Sequence, residues 1–264
     1  MPTANDSPII ELRKVSKAFG AQHVLRDIDL MIERGRSTVI IGRSGTGKSV
    51  LLKHIVGLLR PDRGEVYFDG QRIDQLGERA MVAVRRRISF VFQLNALFDS
   101  MTVFDNVAFP MVQNATGRLD RKRVAEIVHR RLEIVGLRGF EHKRPADLSG
   151  GEKKRVAIAR GIAIEPPPAV ILYDEPTAGL DPQRSDVINK LVRHLQEEFE
   201  VTSIVVTHDM KLANEVGDRI LMLYDGRFIA DGKPQQLAAS AEEHVRRFVS
   251  GEAEPDDLAT LSAE

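Results

Sequence analysis

In several segments of the chain, the pattern of apolar residues is typical of β-strands. Residues 9–19 (IIELRKVSKAF) alternate apolar and polar positions, as a half-exposed strand does. The segments 37–41 (STVII), 88–92 (ISFVF), 169–173 (AVILY) and 202–207 (TSIVVT) are almost wholly apolar. Short apolar runs of this kind suit parallel strands that are covered on both faces. The pattern therefore predicts a parallel sheet at the centre of the fold.

Two Asp-Gly pairs predict hairpins beside that sheet. Asp69-Gly70 divides EVYFDGQRI (65–73), and Asp225-Gly226 divides RILMLYDGRFIADG (219–232). Asp-Gly favours the tight two-residue turn that joins antiparallel strands. The chain is thus expected to combine antiparallel and parallel strands.

Between these segments the period changes to that of a helix. Residues 121–136 place one apolar stripe between Asp120, an expected N-cap, and Gly136, an expected C-cap. The stripe consists of Val124, Ile127, Val128, Leu132 and Val135. The basic residues on the other face form either a solvated surface or a contact with a partner or anionic lipid. A helical pattern also runs from Pro234 to about Val249, and the acidic segment 252–264 is expected to be mobile.

Composition narrows the class of protein. Of the 264 residues, 38 are Lys or Arg and 38 are Asp or Glu, so no charge imbalance points to nucleic acid. Cysteine is absent, which excludes disulfides and thiolate metal sites and fits a reducing compartment. The first residues, MPTANDSP, lack a signal-peptide pattern, and no apolar run approaches the roughly 20 residues that span a bilayer.

A glycine-rich segment carries the clearest chemistry. GRSGTGKS (42–49) fits G-x-x-x-x-G-K-[ST], directly after an expected strand and before the helical pattern SVLLKHIVGLL. Its glycines let successive N–H groups face a phosphate. Lys48 is expected to reach the β- and γ-phosphates, and the Ser49 hydroxyl to bind Mg²⁺. The expected nucleotide-binding residues here are Gly42, Arg43, Ser44, Gly45, Thr46, Gly47, Lys48, Ser49 and Val50.

Polar residues that follow two other buried strands complete this site. Asp174 and Glu175 end VILYDE (170–175), and His208 ends SIVVTH (203–208). The carboxyl ends of parallel strands share one edge of the sheet, where ligands bind. We expect Asp174 to hold Mg²⁺ through water, Glu175 to orient the attacking water, and His208 to face the γ-phosphate.

A second anion site is predicted about a hundred residues after the first. LSGGEKKRVAIAR (148–160) opens a helical pattern with Ser149, Gly150 and Gly151, and it has basic residues in its early turns. Free N–H groups and the positive end of the helix dipole both favour an anion there. One chain thus carries two phosphate-binding segments.

Together these segments resemble the ATP-binding cassette (ABC) ATPases, over residues from about 9 to 235. The family's motifs occur in the family's order, as Phe19, the P-loop, Gln93, LSGGE, Asp174–Glu175, AGLD (178–181) and His208. The resemblance implies an α/β P-loop NTPase with a RecA-like parallel-sheet core, an antiparallel β subdomain and a helical subdomain. It implies an ATPase domain at 8–240, a helical subdomain at about 94–165, and a C-terminal helix end and acidic tail at 241–264.

The resemblance also implies roles for residues and a dimer. Phe19 would stack on adenine, and Gln93 would reach the Mg²⁺ and γ-phosphate region and share in catalysis with Glu175 and His208. In this family, Ser149, Gly150 and Gly151 of one protomer hold the γ-phosphate of ATP bound by its partner, and Asp181 lies at the dimer seam. The implied cofactors are ATP and Mg²⁺, with Ser49, Gln93 and Asp174 around the metal.

Residues 94–110 (LNALFDSMTVFDNVAFP) follow Gln93 and are rich in apolar side chains. In ABC transporters this region forms a groove for a cytoplasmic helix of a membrane partner. Its apolar residues, Leu97, Phe98, Met101, Val103 and Phe104, therefore suit either the core of the helical subdomain or a docking surface.

The type of ABC ATPase follows from what surrounds the motifs. A single uninterrupted cassette without net positive charge favours a transporter subunit over a soluble ATPase that acts on nucleic acid or ribosomes. The segments ALFDSMTVFDNVAFP, LSGGEKKRVAIARGIA and HVRRFVSG resemble the cassettes of MCE-protein lipid transporters, the Mla (maintenance of lipid asymmetry) group.

That resemblance implies an ATPase at the cytoplasmic face of a bacterial inner membrane, which powers phospholipid movement between this membrane and a periplasmic carrier. The implied partners are an MlaE-like permease, an MlaD-like MCE-domain protein and a small MlaB-like STAS-domain protein, with no nucleic acid. A transporter for another cargo stays open, because the permease chooses the cargo.

Overall fold

Two sheets organise the fold in the computed structural model, which describes residues 7–115 and 120–253. The antiparallel sheet has the order β2-β1-β4-β5, with β1 at Ile10–Phe19, β2 at Gln22–Ile32, β4 at Arg63–Phe68 and β5 at Gln71–Arg72. The second sheet has the order β10-β9-β3-β8-β7-β6. Its strands are β3 (Ser37–Ile41), β6 (Ile88–Val91), β7 (Val170–Asp174), β8 (Thr202–Thr207), β9 (Arg219–Tyr224) and β10 (Arg227–Gly232). In this sheet the neighbours pair in parallel except for the β9–β10 hairpin.

Helices cover these sheets and form an insert between β6 and β7. They are α1 (Lys48–Ile55), α2 (Glu78–Arg85), α3 (Val103–Gln113), α4 (Arg121–Ile134), α5 (Gly150–Gly161), α6 (Pro182–Phe199), α7 (Met210–Val216), α8 (Pro234–Ala238) and α9 (Glu243–Ser250). A short 3-10 helix at Pro145–Asp147 precedes α5. Within the described residues, no helix has both the length and the apolar character needed to span a membrane.

The parallel strands are buried on both faces, as their apolar sequences predict. In β3, Val39 and Ile41 pack with side chains of the helical insert, α6 and α7, whereas Ile40 packs with α1 and the antiparallel sheet. The same alternation holds in β7, where Tyr173 faces the first group and Leu172 the second. Burial on both faces explains why these strands are mostly apolar and have almost no charged positions.

Both Asp-Gly hairpins are confirmed. Asp69 and Gly70 have φ values of 53° and 76°, and Asp225 and Gly226 have values of 43° and 74°. Two successive positive φ values define the turn type whose twist matches that of antiparallel strands. Asp and Gly tolerate this conformation better than other residues do.

The helix predicted at 121–136 is confirmed as α4. The Asp120 side chain accepts a hydrogen bond from the Lys122 N–H at 2.9 Å, and Gly136, with a φ of 67°, lies just beyond the last turn. The stripe also contains a residue that the apolar pattern does not predict. Arg131 is buried, and its guanidinium lies 4.9 Å from the centre of the Phe199 ring on α6.

The helical pattern after Pro234 is broken in the structure. α8 and α9 are separate, because Ser240 and Ala241 turn the chain between them. The Arg246 guanidinium donates to the Ala241 and Ser240 carbonyls at 2.5 and 3.2 Å, and the Ser240 hydroxyl accepts from the Glu242 N–H at 3.2 Å. From position 254 onward, the acidic segment lies outside the described residues.

The apolar stretch at 94–110 divides between core and surface. Val103 is fully buried, and Leu97 and Phe104 pack against the same core, whereas Phe98 is 39% exposed. A buried amide shapes the loop between them. Asn106 on α3 accepts from the Phe98 N–H at 2.8 Å and donates to the Phe98 and Thr102 carbonyls at 3.1 and 2.9 Å.

Asn106→Ala is expected to lower the free energy of unfolding by about 2–4 kcal/mol, because it leaves several backbone groups of the 98–102 loop without a partner. Denaturant titration measures the change. Asn114→Ala, at the other end of α3, removes one bond to the Pro110 carbonyl and one exposed bond from the Arg86 guanidinium, and it should cost less than half as much. Equal losses for the two variants would show that Asn106 does not hold the loop.

Candidate functional site

The P-loop turns sharply at glycines that nothing larger could replace. Gly42 follows β3 with a φ of 153°, and a Cβ there would lie 2.4 Å from the Leu223 carbonyl oxygen. Gly47 has a φ of 101°, and a Cβ there would lie 2.8 Å from Cγ1 of Val24. These close approaches fix the path that brings the chain to the first turn of α1.

Lys48 begins α1 and lies at the centre of the loop. Its ammonium donates to the Gly42 and Arg43 carbonyls at 2.6 and 2.9 Å, and it lies 3.6 Å from Oε1 of Glu175. Burial lowers the pKa of Lys48, and the charges of Glu175 and Asp174 act in the opposite direction. Gly47 provides no side-chain cap for α1, so the N–H groups of its first turn are available to an anion.

Ser49 and Asp174 meet at the carboxyl edge of the sheet. The Ser49 hydroxyl donates to Oδ1 of Asp174 at 2.8 Å, and burial raises the pKa of the Asp174 carboxyl. A hydroxyl oxygen and a carboxylate oxygen fit Mg²⁺, which prefers hard ligands and often takes the others from phosphates and water. In the described part of the chain, no cluster of three or more His, Cys, Asp or Glu side chains could enclose a metal, so this pair would supply only part of its shell.

Glu175 is buried and held in an unusual backbone conformation. Its φ is 47°, and it is 8% exposed. Oε2 of Glu175 accepts from the Thr207 hydroxyl at 3.2 Å and lies 3.0 Å from Nδ1 of His208. Left-handed backbone at a non-glycine residue is strained and is frequent at functional sites. The structure therefore brings Glu175, His208 and Lys48 together.

Thr207 is a residue that the sequence analysis missed. It is fully buried and also accepts a hydrogen bond from the Asp209 N–H at 3.0 Å. Its position in the sequence could have indicated its role, since Thr207 is the last residue of an apolar strand and precedes His208. Thr207 and His208 thus hold the same oxygen of Glu175.

Gln93 joins this group through its backbone. Gln93 is exposed, and its backbone carbonyl accepts a hydrogen bond from the ammonium of Lys154 on α5. The same ammonium lies 3.4 Å from the Glu175 carbonyl oxygen. From the sequence, Lys154 is only one of several basic residues near a predicted helix start. Lys154 lies three residues after the buried Gly151, so the two share one face of the helix, and this spacing could have indicated that Lys154 faces inward.

Ser149, Gly150 and Gly151 lie at the start of α5, as predicted. The Ser149 hydroxyl accepts from the Glu152 N–H at 3.4 Å, and the Glu152 carboxylate accepts from the Ser149 N–H at 2.7 Å. This reciprocal cap fixes the entry to the helix. Asp181 caps α6 in a similar way and accepts from the Arg184 N–H at 2.9 Å.

The start of α5 and the P-loop border different cavities. A cavity of about 310 Å³ is lined by residues that include Ser149, Gly151 and Arg184. Another of about 330 Å³ is lined by residues 43–46 of the P-loop, residues 22–24 at the start of β2 and residues 224–226 at the β9–β10 turn. The two cavities share no lining residue. The start of α5 and the P-loop therefore do not enclose one common pocket within a chain.

Phe19 ends β1, and a two-residue turn joins it to the start of β2, which borders the P-loop cavity. Its side chain is 48% exposed, and the Lys17 ammonium lies 5.5 Å from the ring centre. Asp62 anchors this strand end, because it accepts from the Lys17 ammonium at 2.6 Å and from the Ala18 N–H at 2.7 Å. The exposed ring can therefore stack on a planar group.

An aromatic groove of about 510 Å³ lies between β6, the segment after Gln93, α3 and α5. The rings of Phe90 and Phe92 stack with centres 4.2 Å apart, and those of Phe98 and Phe109 lie 4.5 Å apart. Arg160 of α5 also lines the groove.

Comparisons with known proteins agree with this geometry. The family model described as "ABC transporter" matches residues 25–178, more than half of the chain. The chain is 40% identical to the chloroplastic protein TRIGALACTOSYLDIACYLGLYCEROL 3 of Arabidopsis thaliana, covering 94% of this chain and 75% of that protein. It is 39% identical to the intermembrane phospholipid transport system ATP-binding protein MlaF of Escherichia coli, covering 92% and 89%.

A third relative carries a different name. The chain is 36% identical to the "Probable ribonucleotide transport ATP-binding protein mkl" of Mycobacterium tuberculosis, covering 97% of this chain and 72% of that protein.

Among solved structures, the fold is similar to a dimeric ABC cassette in a post-hydrolysis state with bound ADP and phosphate. The TM-score is 0.78 at 35% identity, covering 85% of this chain and 98% of that one. The sheets, the P-loop and the sequence similarity agree, and the chain belongs to the ABC transporter family of ATP-binding cassette ATPases.

Proposed function

We propose that this chain is the ATP-hydrolysing subunit of an ABC transporter that moves phospholipids between the inner membrane and a periplasmic carrier, and so maintains the lipid asymmetry of the outer membrane. The observation that carries the ATPase role is the contact of Glu175 with His208 and its approach to Lys48 of the P-loop. The choice of phospholipid rests on the similarity to a phospholipid transport ATPase over most of the chain.

In the proposed site, the N–H groups of residues 42–50 and the Lys48 ammonium bind the phosphates, and Phe19 stacks on adenine. Ser49, Asp174 and Gln93 would hold Mg²⁺, which when bound neutralises charge on the phosphate oxygens. Glu175 polarises the attacking water. His208 stays on the Glu175 carboxylate and faces the γ-phosphate.

The proposed active unit is a homodimer. Ser149 and the N–H groups of Gly150 and Gly151 bind the γ-phosphate of ATP on the partner's P-loop, with Asp181 at the seam. The separate cavities support this arrangement, since neither contains both phosphate-binding segments. The dimeric state of a similar cassette also supports it. Loss of the γ-phosphate removes these contacts, so hydrolysis opens the dimer.

The aromatic groove suits a helix of the membrane partner. Four phenylalanine rings in one exposed cavity give an apolar surface of the kind that binds another protein. We infer an MlaE-like permease there, in an assembly with an MlaD-like MCE-domain protein and an MlaB-like STAS-domain protein at the cytoplasmic face of the inner membrane. The ATPase domain would extend over 8–240, with the helical subdomain at about 94–165 and the C-terminal part at 241–264.

A transporter for another cargo is the second candidate. The relative named for ribonucleotide transport matches the chain over almost its whole length at 36% identity. The nucleotide site does not distinguish the two, because cargo binds to the permease. Identification of the permease and of the lipid that accompanies it separates these candidates.

Glu175→Gln is expected to retain ATP binding and to accumulate an ATP-bound dimer, while hydrolysis falls by about 10²–10⁴-fold because the water loses its base. Gel filtration with ATP and a phosphate-release assay measure the two effects. Lys48→Ala serves as the control, since it should weaken ATP binding and form no such dimer. Turnover at the wild-type rate in Glu175→Gln would remove Glu175 from the mechanism.

A mixture of two inactive variants tests the shared site. Ser149→Arg blocks one half-site and Lys48→Ala the other, so each homodimer should be inactive. A mixed dimer has one composite site with both halves intact, and random mixing should restore at most about a quarter of the wild-type rate. Hydrolysis is measured after the subunits are exchanged. No recovery, with mixed dimers present by mass spectrometry, would contradict a site built from two chains.

Native purification tests the transport role. The chain, tagged and expressed in its own cells, is expected to bring down an integral-membrane permease and an MCE-domain protein from detergent-solubilised membranes, with phospholipid bound. Phe98→Asp should lose the permease and keep ATP binding, because a charge cannot be buried in an aromatic groove without cost. A permease without an MCE-domain protein would favour the second candidate, and stimulation by DNA or ribosomes would favour a soluble ATPase.

A further inference from the structure

The segment after Gln93 has a backbone that its sequence does not favour. Asn95 and Ala96 have consecutive positive φ values of 64° and 49°. Alanine has no polar side chain that could compensate for this conformation. The Asn95 side-chain oxygen is also buried, with no hydrogen-bond donor in the described part of the chain. Such a backbone persists only where its surroundings hold it.

Two cationic side chains of α5 hold this segment. The Arg160 guanidinium donates to the Ala96 carbonyl at 2.6 Å and to the Asn95 carbonyl at 2.8 Å. Six residues earlier on the same helix, the Lys154 ammonium donates to the Gln93 carbonyl. Three of the four carbonyls in residues 93–96 are therefore bound by one helix, through the charged donors that give the strongest hydrogen bonds.

Burial disfavours the charges of both side chains. Lys154 is 2% exposed and Arg160 is half-buried, and burial lowers the pKa of each. Asp174 and Glu175 are the acidic groups whose charges favour the Lys154 ammonium. Apolar residues of similar volume often stabilise a fold as well as buried charges do. An apolar residue could therefore fill the Lys154 position, and what the lysine adds is its hydrogen bond to the Gln93 carbonyl.

A third basic residue of α5 shows the contrast. Arg155 donates to the Val135 and Gly136 carbonyls at 3.0 Å each, and burial lowers its pKa. Its acceptors lie at the end of α4, inside the helical insert. Arg155 therefore joins two helices of the insert, whereas Lys154 and Arg160 join α5 to the segment that carries Gln93.

We propose that Lys154 and Arg160 are positioning residues that make α5 and residues 93–96 move together. The start of α5 would respond to the partner's nucleotide, and residues 93–96 would place Gln93 at the chain's own nucleotide. The two sites of the dimer are coupled through this contact. The proposal rests on the proposed function, because it requires the start of α5 to face the second nucleotide.

The contact also reaches the aromatic groove. Ala96, Phe98 and Arg160 all line that groove. A shift of α5 would therefore alter the groove as well as the position of Gln93, since packed elements move as units rather than deform continuously.

Lys154→Met and Arg160→Met test the coupling, because each removes the charge and keeps a long side chain. Hydrogen exchange of residues 94–98 is measured with and without ATP, together with kcat and the dissociation constant for ATP. In the wild type, ATP should slow exchange of these amides. In both variants that effect should be lost and kcat should fall by about 10–100-fold, while the dissociation constant changes by less than about twofold because the P-loop is intact.

Arg155→Met is the matched control. It removes the same chemistry from the same helix, so it should lower the melting temperature at least as much as Arg160→Met does. It should keep the ATP effect on residues 94–98. The exchange effect is the criterion for this variant, because Arg155 also lines the cavity at the start of α5. Arg160→Lys should regain part of the lost kcat, because a lysine can still donate to one carbonyl.

The outcomes separate this proposal from the proposed function. If Lys154→Met and Arg160→Met keep the wild-type kcat and, like Arg155→Met, keep the ATP effect on exchange, the coupling is wrong and the ATPase assignment stands. If the wild type and Arg155→Met neither hydrolyse ATP nor respond to it, both proposals fall together.

Discussion

The parallel register of β3, β8 and β7 is the constraint on which the site depends. Ile41 pairs with Thr207, and Asp174 pairs with Val206, so the three strands end within one residue of each other. The residues that follow, Gly42, His208 and Glu175, therefore leave the sheet side by side. A shift of one strand by two residues would move its end by about 7 Å and would separate Glu175 from its partners. Burial of both faces of the sheet fixes this register, because a slip would expose apolar side chains and bury polar ones.

That arrangement brings the Lys48 ammonium and the Asp174 and Glu175 carboxyl groups together in a buried site. Burial lowers the pKa of Lys48 and raises that of Asp174, so the site disfavours both charged forms. Lys48 offsets this cost with the Gly42 and Arg43 carbonyls of its own loop. A phosphate would offer the same ammonium a stronger, charged acceptor. Lys48 thus holds the loop in a shape suited to a phosphate, and the same side chain would bind that phosphate.

The sequence predicts those parts of the fold that local chemistry determines. The strands, both Asp-Gly hairpins, the P-loop and the Asp120 cap depend on residues close together in the chain, and the structure contains each of them. Lys154 and the left-handed Asn95 and Ala96 escaped prediction because their partners lie far away in sequence. A lysine on a helix is usually solvated, and only the fold shows that this one meets the Gln93 carbonyl. The break between α8 and α9 is local, but it depends on side-chain bonds from Arg246 that a pattern of apolar positions does not show.

The two half-sites differ in their donors, and this difference suits a reversible dimer. The P-loop offers the Lys48 ammonium, which can hold any nucleotide phosphate. The start of α5 offers the Ser149 hydroxyl and backbone N–H groups, and the carboxylate of Glu152 in its first turn weakens the positive end of the helix. Two arginines line the same cavity, but Arg155 is bonded to the Val135 and Gly136 carbonyls and Arg184 is paired with Asp181. In the proposed dimer this second half-site would therefore bind phosphate through short-range hydrogen bonds. A few bonds to a charged phosphate, at about 1.5–3 kcal/mol each, repeated at two sites, reach the roughly 5.5 kcal/mol that moves an equilibrium from one state to the other. Closure would then require the γ-phosphate itself, and a nucleotide without it would leave the dimer open.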